Sequence, residues 1–168
     1  MVIKIVLNTS SSLFFIKIGL IRPLLKSFKL ATSEEIFEEI KEGEELDYKD
    51  ARLLMHYFKE KRIDVIKAKR TKDMAKEFSI KEADASIIAL AKELACFVAT
   101  EDRQIEKICL LLQINVVNSA LLVYLLWQKK EFSDEQAYML IDLLARNGYN
   151  KEICLKIKEK MMQGGKNV

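Results

Sequence analysis

The sequence of 168 residues is poor in the residues that build several common kinds of site. Its single histidine, His56, has no partners of a catalytic triad and is expected at the surface. The three cysteines, Cys96, Cys109 and Cys154, are far apart and odd in number, so they form neither a zinc-binding pattern nor a disulfide framework. Each lies in an apolar segment, and we expect buried free thiols in a reducing cytoplasm.

Long hydrophobic runs and a strong net charge are also missing. No apolar run reaches the roughly 18 residues that a membrane span needs. Asn8, Thr9 and three serines interrupt the apolar N-terminal stretch, and Lys17 breaks the next one, so we expect no signal peptide. The net charge of +3 permits a nucleic-acid partner without requiring one. The length predicts a single domain over residues 1–162, followed by a flexible tail at 163–168.

Short β-branched segments alternate with helical periodicity through most of the chain. This order predicts an α/β fold with a central parallel sheet, right-handed crossovers and helices on both faces. The segment 96–99 is uniformly apolar, which is typical of a strand covered on both faces. The C-terminal part is predicted to be helical, over residues 119–129, 133–147 and 150–162. The predicted strands, about five and all short, are residues 2–7, 28–31, 63–68, 96–99 and 115–118.

Capping residues predict where several helices begin and end. Thr32–Glu35 and Ser79–Glu82 have the spacing of a capping box, in which two orphan N–H groups are satisfied reciprocally. Asp47 and Ser133 are predicted N-caps. Gly43 is predicted to end the helix that precedes Asp47, because glycine adopts the left-handed conformation that closes many helices.

Polar side chains follow three of the predicted strands at their carboxyl ends. Asn8 follows the first strand, Thr32–Ser33 the second, and Thr100 and Asp102 the fourth. The carboxyl ends of parallel strands meet at one edge of a sheet, where α/β proteins bind their ligands, so we expect these side chains to gather there. Asp84, near the start of a helix, shares a face with apolar residues and can be directed at the same edge.

In this order the residues resemble a PIN domain, the small α/β fold of many nucleases that act on RNA or on single strands. The resemblance covers about residues 2–160, and its carriers are Asn8–Ser10, Ile36–Ile40, Glu82–Ala85 and Val98–Arg103. The C-terminal part resembles a subgroup known mainly as predicted nucleic-acid-binding proteins of archaea and bacteria, related to the toxin nucleases of toxin–antitoxin pairs. The resemblance implies a three-layer α/β/α PIN-like fold with a helical C-terminus.

The resemblance also implies an acidic cluster that binds Mg²⁺ or Mn²⁺. Such ions take carboxylate ligands, activate a water molecule and relieve the charge on the departing oxygen of a phosphodiester. Asp84 matches the third acid of the family and Asp102 the fourth, while Glu39 matches the second, with Glu38 as the alternative if the helix is rotated. These three implied catalytic residues also bind the metal, with Asn8 as a fourth ligand. The residues implied in support are Thr100, Glu82, Thr9 and Ser10.

The sequence departs from the family at the first acid, because Asn8 stands where the family has aspartate. An amide oxygen can bind a metal but brings no charge. Two functions therefore follow from the resemblance. One is a metal-dependent ribonuclease, which could also be the toxin of a toxin–antitoxin pair. The other is a catalytically weakened module that binds nucleic acid or protein. A phosphate-transfer receiver domain shares the acids at strand ends, but Asn118–Ser119 follow the fifth strand where that domain has lysine.

Each candidate also has a plainer structural interpretation. Asp84 can be an acid favoured by the helix dipole, and Asp102 and Asn8 can be helix N-caps. Glu39 belongs to a run of glutamates that is typical of a solvated helix face. These interpretations stay open alongside the metal site, since a cap can also be a ligand.

Two further surfaces have alternative interpretations. Lys67, Lys69, Arg70 and Lys72 form a basic cluster after the third strand. The cluster is either solvated or, with Arg103, contacts RNA phosphates. The helix predicted over 119–129 is apolar around much of its circumference. Core packing accounts for part of that, and a homodimer interface for the rest. Its apolar residues are Leu121, Leu122, Tyr124, Leu125, Leu126 and Trp127.

Overall fold

The structure is a computed structural model that describes residues 4–164. Its backbone forms a five-stranded sheet in the order β3-β2-β1-β4-β5, and every pair of neighbouring strands is parallel. The strands are β1 (Lys4–Leu7), β2 (Lys29–Ser33), β3 (Ile63–Ile66), β4 (Phe97–Ala99) and β5 (Val116–Val117). The predicted three-layer α/β/α PIN-like fold, with its central parallel sheet, is confirmed.

The chain divides into two compact units, one ending at Val117 and the other beginning at Asn118. Helices of the first unit are α1 (Thr9–Lys17), α2 (Ile21–Ser27), α3 (Glu34–Glu45), α4 (Lys49–Lys59), α5 (Thr71–Phe78), α6 (Glu82–Leu94) and α7 (Arg103–Leu111). The second unit contains α8 (Ser119–Gln128), α9 (Asp134–Arg146) and α10 (Lys151–Gly164). α10 thus runs past the predicted boundary at residue 162, and a single domain over residues 1–162 stays a prediction.

The two central strands form the core of the first unit. Val6 of β1 and Val98 of β4 are completely buried, and they lie side by side in the sheet. Such strands read as continuous apolar runs because helices cover both faces of a parallel sheet. Cys96, Cys109 and Cys154 are buried free thiols, as predicted, and burial raises the pKa of the Cys109 thiol to about 11. Among the described residues, no helix is both long enough and apolar enough to span a bilayer.

The predicted end of α3 at Gly43 is wrong, because the helix continues to Glu45. A β-carbon at position 43 would lie 3.1 Å from the Cβ of Ala51, which belongs to α4. The missing side chain of Gly43 therefore allows α3 and α4 to approach closely. A glycine close to the end of a helix can serve packing rather than termination.

Two predicted caps are also wrong. Asp47 has a φ of 65°, pairs with Arg52 at 2.8 Å and does not cap α4, whose N-cap is Tyr48. Ser79 has a φ of 51° and closes α5, so the predicted capping box Ser79–Glu82 does not form. In both cases a short polar residue takes the left-handed conformation after one helix instead of starting the next.

The strand β2 extends two residues beyond its predicted end and stops at Ser33. Thr32 therefore lies within the strand, where its Oγ1 donates to the carbonyl oxygen of Leu7 at 2.8 Å, and the predicted box Thr32–Glu35 is wrong. Ser33 is the N-cap of α3 instead. The strand β3 ends at Ile66, two residues before its predicted end, and residues 2–3 of the first predicted strand lie outside the described part.

Ser33 also connects α3 to α6 through a chain of hydrogen bonds. Its Oγ accepts from the N–H of Ile36 at 3.2 Å and lies 2.6 Å from the Oγ of Ser86. Ser86 in turn donates to the carbonyl oxygen of Ala83 at 2.7 Å. Both hydroxyls are completely buried, so each is satisfied by the other. This contact holds the first turns of α3 and α6 together.

We predict that Ser33→Ala lowers the free energy of unfolding by about 1–2 kcal/mol, because it removes a helix N-cap and a buried hydrogen bond. Denaturant unfolding measures the change. Ser10→Ala is the control, since Ser10 is exposed and its loss is expected to change stability by less than about 0.5 kcal/mol. Equal effects of the two substitutions would contradict the prediction.

Candidate active site

The candidate site lies where the strand order of the sheet reverses. The chain passes from β1 to β2 on one side, while β4 pairs with β1 on the other side. Leu7 and Ala99, the last residues of β1 and β4, are neighbours in the sheet, so Asn8 and Thr100 follow side by side. A crevice outside the carboxyl ends of two such strands is the usual ligand site of open α/β sheets.

Asn8 is buried and acts as the N-cap of α1. Its Oδ1 accepts a hydrogen bond from the backbone N–H of Ser11 at 2.8 Å. The Ser11 side chain donates to the carbonyl oxygen of Ala99 at 3.2 Å, which ties the start of α1 to the end of β4. The amide oxygen of Asn8 is therefore already used by the fold, although an amide oxygen has a second lone pair.

Asp102 is the N-cap of α7 and stands just beyond β4. Its Oδ1 accepts hydrogen bonds from the N–H groups of Gln104 at 2.6 Å and Ile105 at 3.2 Å. Thr100 is buried, and its Oγ1 accepts from the backbone N–H of Asp102 at 3.1 Å. These contacts hold the turn after β4 and leave the exposed carboxylate of Asp102 facing solvent.

Asp84 occupies the first turn of α6 and is partly buried. Burial raises the pKa of its carboxyl group, and the negative charges of Asp102 and Glu39 raise it further, while Lys81 lowers it. Charges act on each other in this way only when they are close or share a poorly solvated region. The structure therefore brings Asp84, Asp102 and Glu39 within electrostatic reach of one another.

Glu39 reaches the site from α3 and is held by α1. Thr9 donates a hydrogen bond of 2.5 Å from its Oγ1 to the Oε2 of Glu39. Thr9 follows Asn8 directly, so this contact links α3 to the end of β1. Glu38 and Glu39 are both exposed, but Glu38, the alternative residue, pairs with Lys41 at 3.5 Å, whereas Glu39 helps to raise the pKa of Asp84. This difference favours Glu39 as the member of the cluster.

The remaining supporting residues lie at the surface. Glu82, the first residue of α6, and Ser10 are both exposed. Within residues 4–164, neither one makes a hydrogen bond or an ion pair with the three acids. We have no structural account of a role for Ser10.

Two of the predicted basic residues, Lys69 and Arg70, lie away from the acids. The backbone N–H of Lys69 donates to the Oε1 of Glu93 at 2.7 Å, and Glu93 lies about 13 Å along α6 from Asp84. Arg70 is next to Lys69 and pairs with Asp73 at 3.6 Å, and Lys67 is exposed just after β3. Arg103, also exposed, directly follows Asp102.

Sequence reasoning missed the two serines that connect α3 and α6. Ser86 is the only polar residue between Ala85 and Ala91, so a polar position inside an apolar helical stretch was the available signal. Ser33 was noticed only as a strand-end residue. Lys81, which lowers the pKa of Asp84, was also missed, although it lies at the N-cap position of α6.

The donors at this edge suit a hard divalent cation in chemistry, because they are carboxylate and amide oxygens. Burial raises the pKa of Asp84 most, and the repulsion from Asp102 and Glu39 that raises it further is relieved when a cation binds. In the part of the chain that the structure describes, no three histidine, cysteine, aspartate or glutamate side chains are grouped closely enough to hold one ion. Mg²⁺ does not require such a group, since it usually takes one or two carboxylates and several waters.

Comparison with known proteins identifies the family. The family model DUF3368, a PIN domain, matches residues 4–161. The chain therefore belongs to the PIN domain family, whose members generally use divalent metal ions. No curated protein sequence matches it.

Two solved structures match this chain at low sequence identity. One is VapBC2 from Rickettsia felis, solved in complex with a DNA fragment from its promoter. It has a TM-score of 0.53 and 16% sequence identity, and the match covers 69% of this chain and 98% of that chain. PAE2754 from Pyrobaculum aerophilum has a TM-score of 0.49 and 17% identity, over 73% of this chain and 96% of that one. At this identity the likeness to VapBC2 supports the fold alone.

The raised pKa of Asp84 predicts how stability depends on pH. A carboxyl group whose pKa is higher in the folded state stabilises that state when protonated, and the benefit is lost as pH rises through the folded pKa. Asp84→Asn should therefore increase the free energy of unfolding at pH 7. The gain should shrink as pH falls through the raised folded pKa and should be absent below the ordinary aspartate value of 3.8. Denaturant unfolding at both pH values measures this difference.

Asp50→Asn is the matched control, because Asp50 is exposed in the first turn of α4. Loss of that charge removes a favourable interaction with the helix dipole, so it should slightly lower stability at pH 7. Stabilisation by both substitutions, or by neither, would contradict the raised pKa of Asp84.

Proposed function

We propose that this PIN domain is a divalent-metal-dependent ribonuclease that hydrolyses phosphodiester bonds in RNA. The observation that carries the proposal is the raised pKa of Asp84, caused by burial and by the charges of Asp102 and Glu39. Repulsion of this kind weakens a fold unless a cation or a reaction makes use of it. Three acids held at a strand-order reversal support a catalytic use.

Mg²⁺ or Mn²⁺ at this edge would supply an activated water and charge relief for the departing oxygen. We assign Asp84 and Asp102 as its carboxylate ligands, and Glu39 adds negative charge at the same edge. Thr9 holds the Oε2 of Glu39, which orients that carboxylate toward the end of β1. Thr100 holds the backbone of Asp102 and so fixes the turn that presents the Asp102 carboxylate.

Substrate contact is assigned to the exposed Arg103, which directly follows Asp102. A guanidinium group beside the acids can bind a phosphate of the RNA and offset its repulsion from the carboxylates. The distance along α6 between Glu93 and Asp84 keeps Lys69 and Arg70 out of the cleavage site itself. They are assigned at most to a distant stretch of the same RNA, while Lys67, which follows β3, is assigned to a phosphate of the RNA.

The proposal also covers where the protein acts in the cell and which partners it binds. We infer a cytoplasmic protein, in keeping with three buried free thiols, which acts as the toxin of a toxin–antitoxin pair with a small antitoxin as its inhibitor. VapBC2, similar in fold, is bound to DNA, and we carry nucleic-acid binding to this chain as part of the proposal. A homodimer and an archaeal source belong to the same inference.

Cleavage of a mixed pool of single-stranded and structured RNA with Mn²⁺ tests the proposal. We expect cleavage by the native chain and a loss of about a hundredfold or more in Asp84→Asn, because a metal-binding carboxylate that also accepts protons is removed. Asp50→Asn should cleave like the native chain. Equal cleavage by native chain and Asp84→Asn would show that these acids are not the site.

A second candidate is a module that binds nucleic acid or protein without cleaving RNA. It is favoured by Asn8, whose Oδ1 accepts from Ser11 and which brings no charge to the cluster. With three carboxylates instead of four, metal affinity and activation of water are both weaker. The fold is unaffected, since the amide caps α1 as well as a carboxylate would.

Asn8→Asp distinguishes the two candidates. The added carboxylate should bind Mn²⁺ about tenfold or more tightly by calorimetric titration, because it adds a charged ligand at the end of β1. If the native chain is a working nuclease, cleavage is already present and increases. Cleavage only in Asn8→Asp would instead identify the native chain as the binding module.

A further inference from the structure

Lys81 is an exposed basic residue at the edge of the acidic cluster. It occupies the N-cap position of α6, but its side chain does not cap the helix. Its backbone carbonyl oxygen accepts a hydrogen bond from the N–H of Ala85 at 2.9 Å, so the backbone is part of the helix while the side chain is not held by it. The ammonium group makes no ion pair or hydrogen bond with any other of residues 4–164.

The start of α6 places Lys81 beside Asp84. Lys81 is the N-cap residue and Asp84 is the third residue of the helix. These two positions of a helix lie close together, as the reciprocal contacts of a capping box show. The positive charge of Lys81 also lowers the pKa of Asp84, so the ammonium group and the carboxylate are within electrostatic reach.

An RNA strand needs positive side chains at this edge of the sheet. When ionised, Asp84, Asp102 and Glu39 carry more negative charge than one Mg²⁺ or Mn²⁺ neutralises, so they repel the phosphates of the strand. Arg103 offsets part of this repulsion at the start of α7, beside Asp102. Lys81 supplies the same charge at the start of α6, beside Asp84.

We propose that Lys81 binds a phosphate of the RNA strand next to the bond that is cleaved. The inference rests on the ribonuclease function proposed above and adds a substrate-binding residue to it. Lys81 forms no ion pair with Asp84, so its ammonium group stays available for a phosphate. Lysine has three rotatable donors on a flexible stem, which allows it to follow a phosphate of a single strand.

A plainer role for Lys81 is to offset the charges of the acids without touching RNA. The two roles differ in what their loss changes. Loss of a phosphate contact weakens RNA binding and raises KM, and the loss is tied to one phosphate of the substrate. Loss of a counter-charge acts on the acids, so it changes kcat and Mn²⁺ binding but involves no particular phosphate.

The first test measures binding of a labelled single-stranded RNA to the full chain, with divalent ions chelated so that the RNA stays intact. Lys81→Gln should raise Kd about three- to tenfold, and it should reduce the slope of log Kd against log salt by about 0.7, the value for one phosphate contact with a single strand. Lys81→Arg should keep most of the affinity, because the positive charge is retained.

Lys49→Gln is the matched control. Lys49 is also an exposed lysine at the start of a helix, α4, and it makes no ion pair with any other of residues 4–164. Its substitution should leave Kd within about twofold of the native value. Circular dichroism checks that all variants stay folded.

The second test locates the contact on the substrate. Each phosphate that flanks the cleaved bond is replaced in turn by a methylphosphonate, which carries no charge, and kcat and KM are measured with Mn²⁺. In the native chain one of these replacements should raise KM about three- to tenfold. In Lys81→Gln the same replacement should have no further effect, because the contact it removes is already absent.

The outcomes separate this inference from the proposed function. Cleavage by the native chain with unchanged Kd and KM in Lys81→Gln overturns the contact and leaves the nuclease standing. Loss of RNA affinity in Lys81→Gln alone, in a chain that does not cleave, supports the contact and overturns the nuclease. Equal effects of Lys81→Gln and Lys49→Gln overturn the contact, and so does a full further loss when the methylphosphonate and Lys81→Gln are combined.

Discussion

Parallel pairing of β1 with β4 is the constraint on which the candidate site depends. Because Leu7 and Ala99 are neighbours in the sheet, the polar residues after both strands must emerge together. Asn8 and Asp102 then start α1 and α7 from adjacent points, and each uses a side-chain oxygen as the cap. The local interactions that begin these helices therefore also hold the candidate ligands in position.

The acidic cluster is assembled from two further contacts that involve α3 and α6. Ser33 and Ser86 join the first turns of these helices, and Thr9 holds the carboxylate of Glu39. Asp84 is thereby kept close enough to the other acids for their charges to raise its pKa, a cost that the hydroxyl contacts offset. Stability and function are in opposition here, as is common where like charges are gathered.

Predictions of helix ends from neighbouring residues were wrong at positions where packing between helices, or the path of the chain, matters more than capping. Glycine is typical of a helix end, yet Gly43 lies inside α3, where its lack of a side chain allows Ala51 to approach closely. Asp47 and Ser79 are good N-caps in isolation, but each closes the preceding helix in the left-handed conformation. A short polar residue satisfies either role, and only the path of the chain between helices selects one.

The alternation of apolar strands and amphipathic helices was enough to predict the parallel sheet, because a strand that is buried on both faces consists almost entirely of apolar residues. The order of the acids was enough to indicate the family, and the helix caps at Asn8 and Ser133 could be read from adjacent residues. Contacts between residues far apart in the chain have no comparable pattern in the sequence. The Thr9–Glu39 and Ser33–Ser86 hydrogen bonds, and the separation of Lys69 from the acids, depend on how α3 and α6 pack on the sheet. Hydrogen bonds act over about 3 Å, so their partners are set by tertiary packing and not by spacing along the sequence.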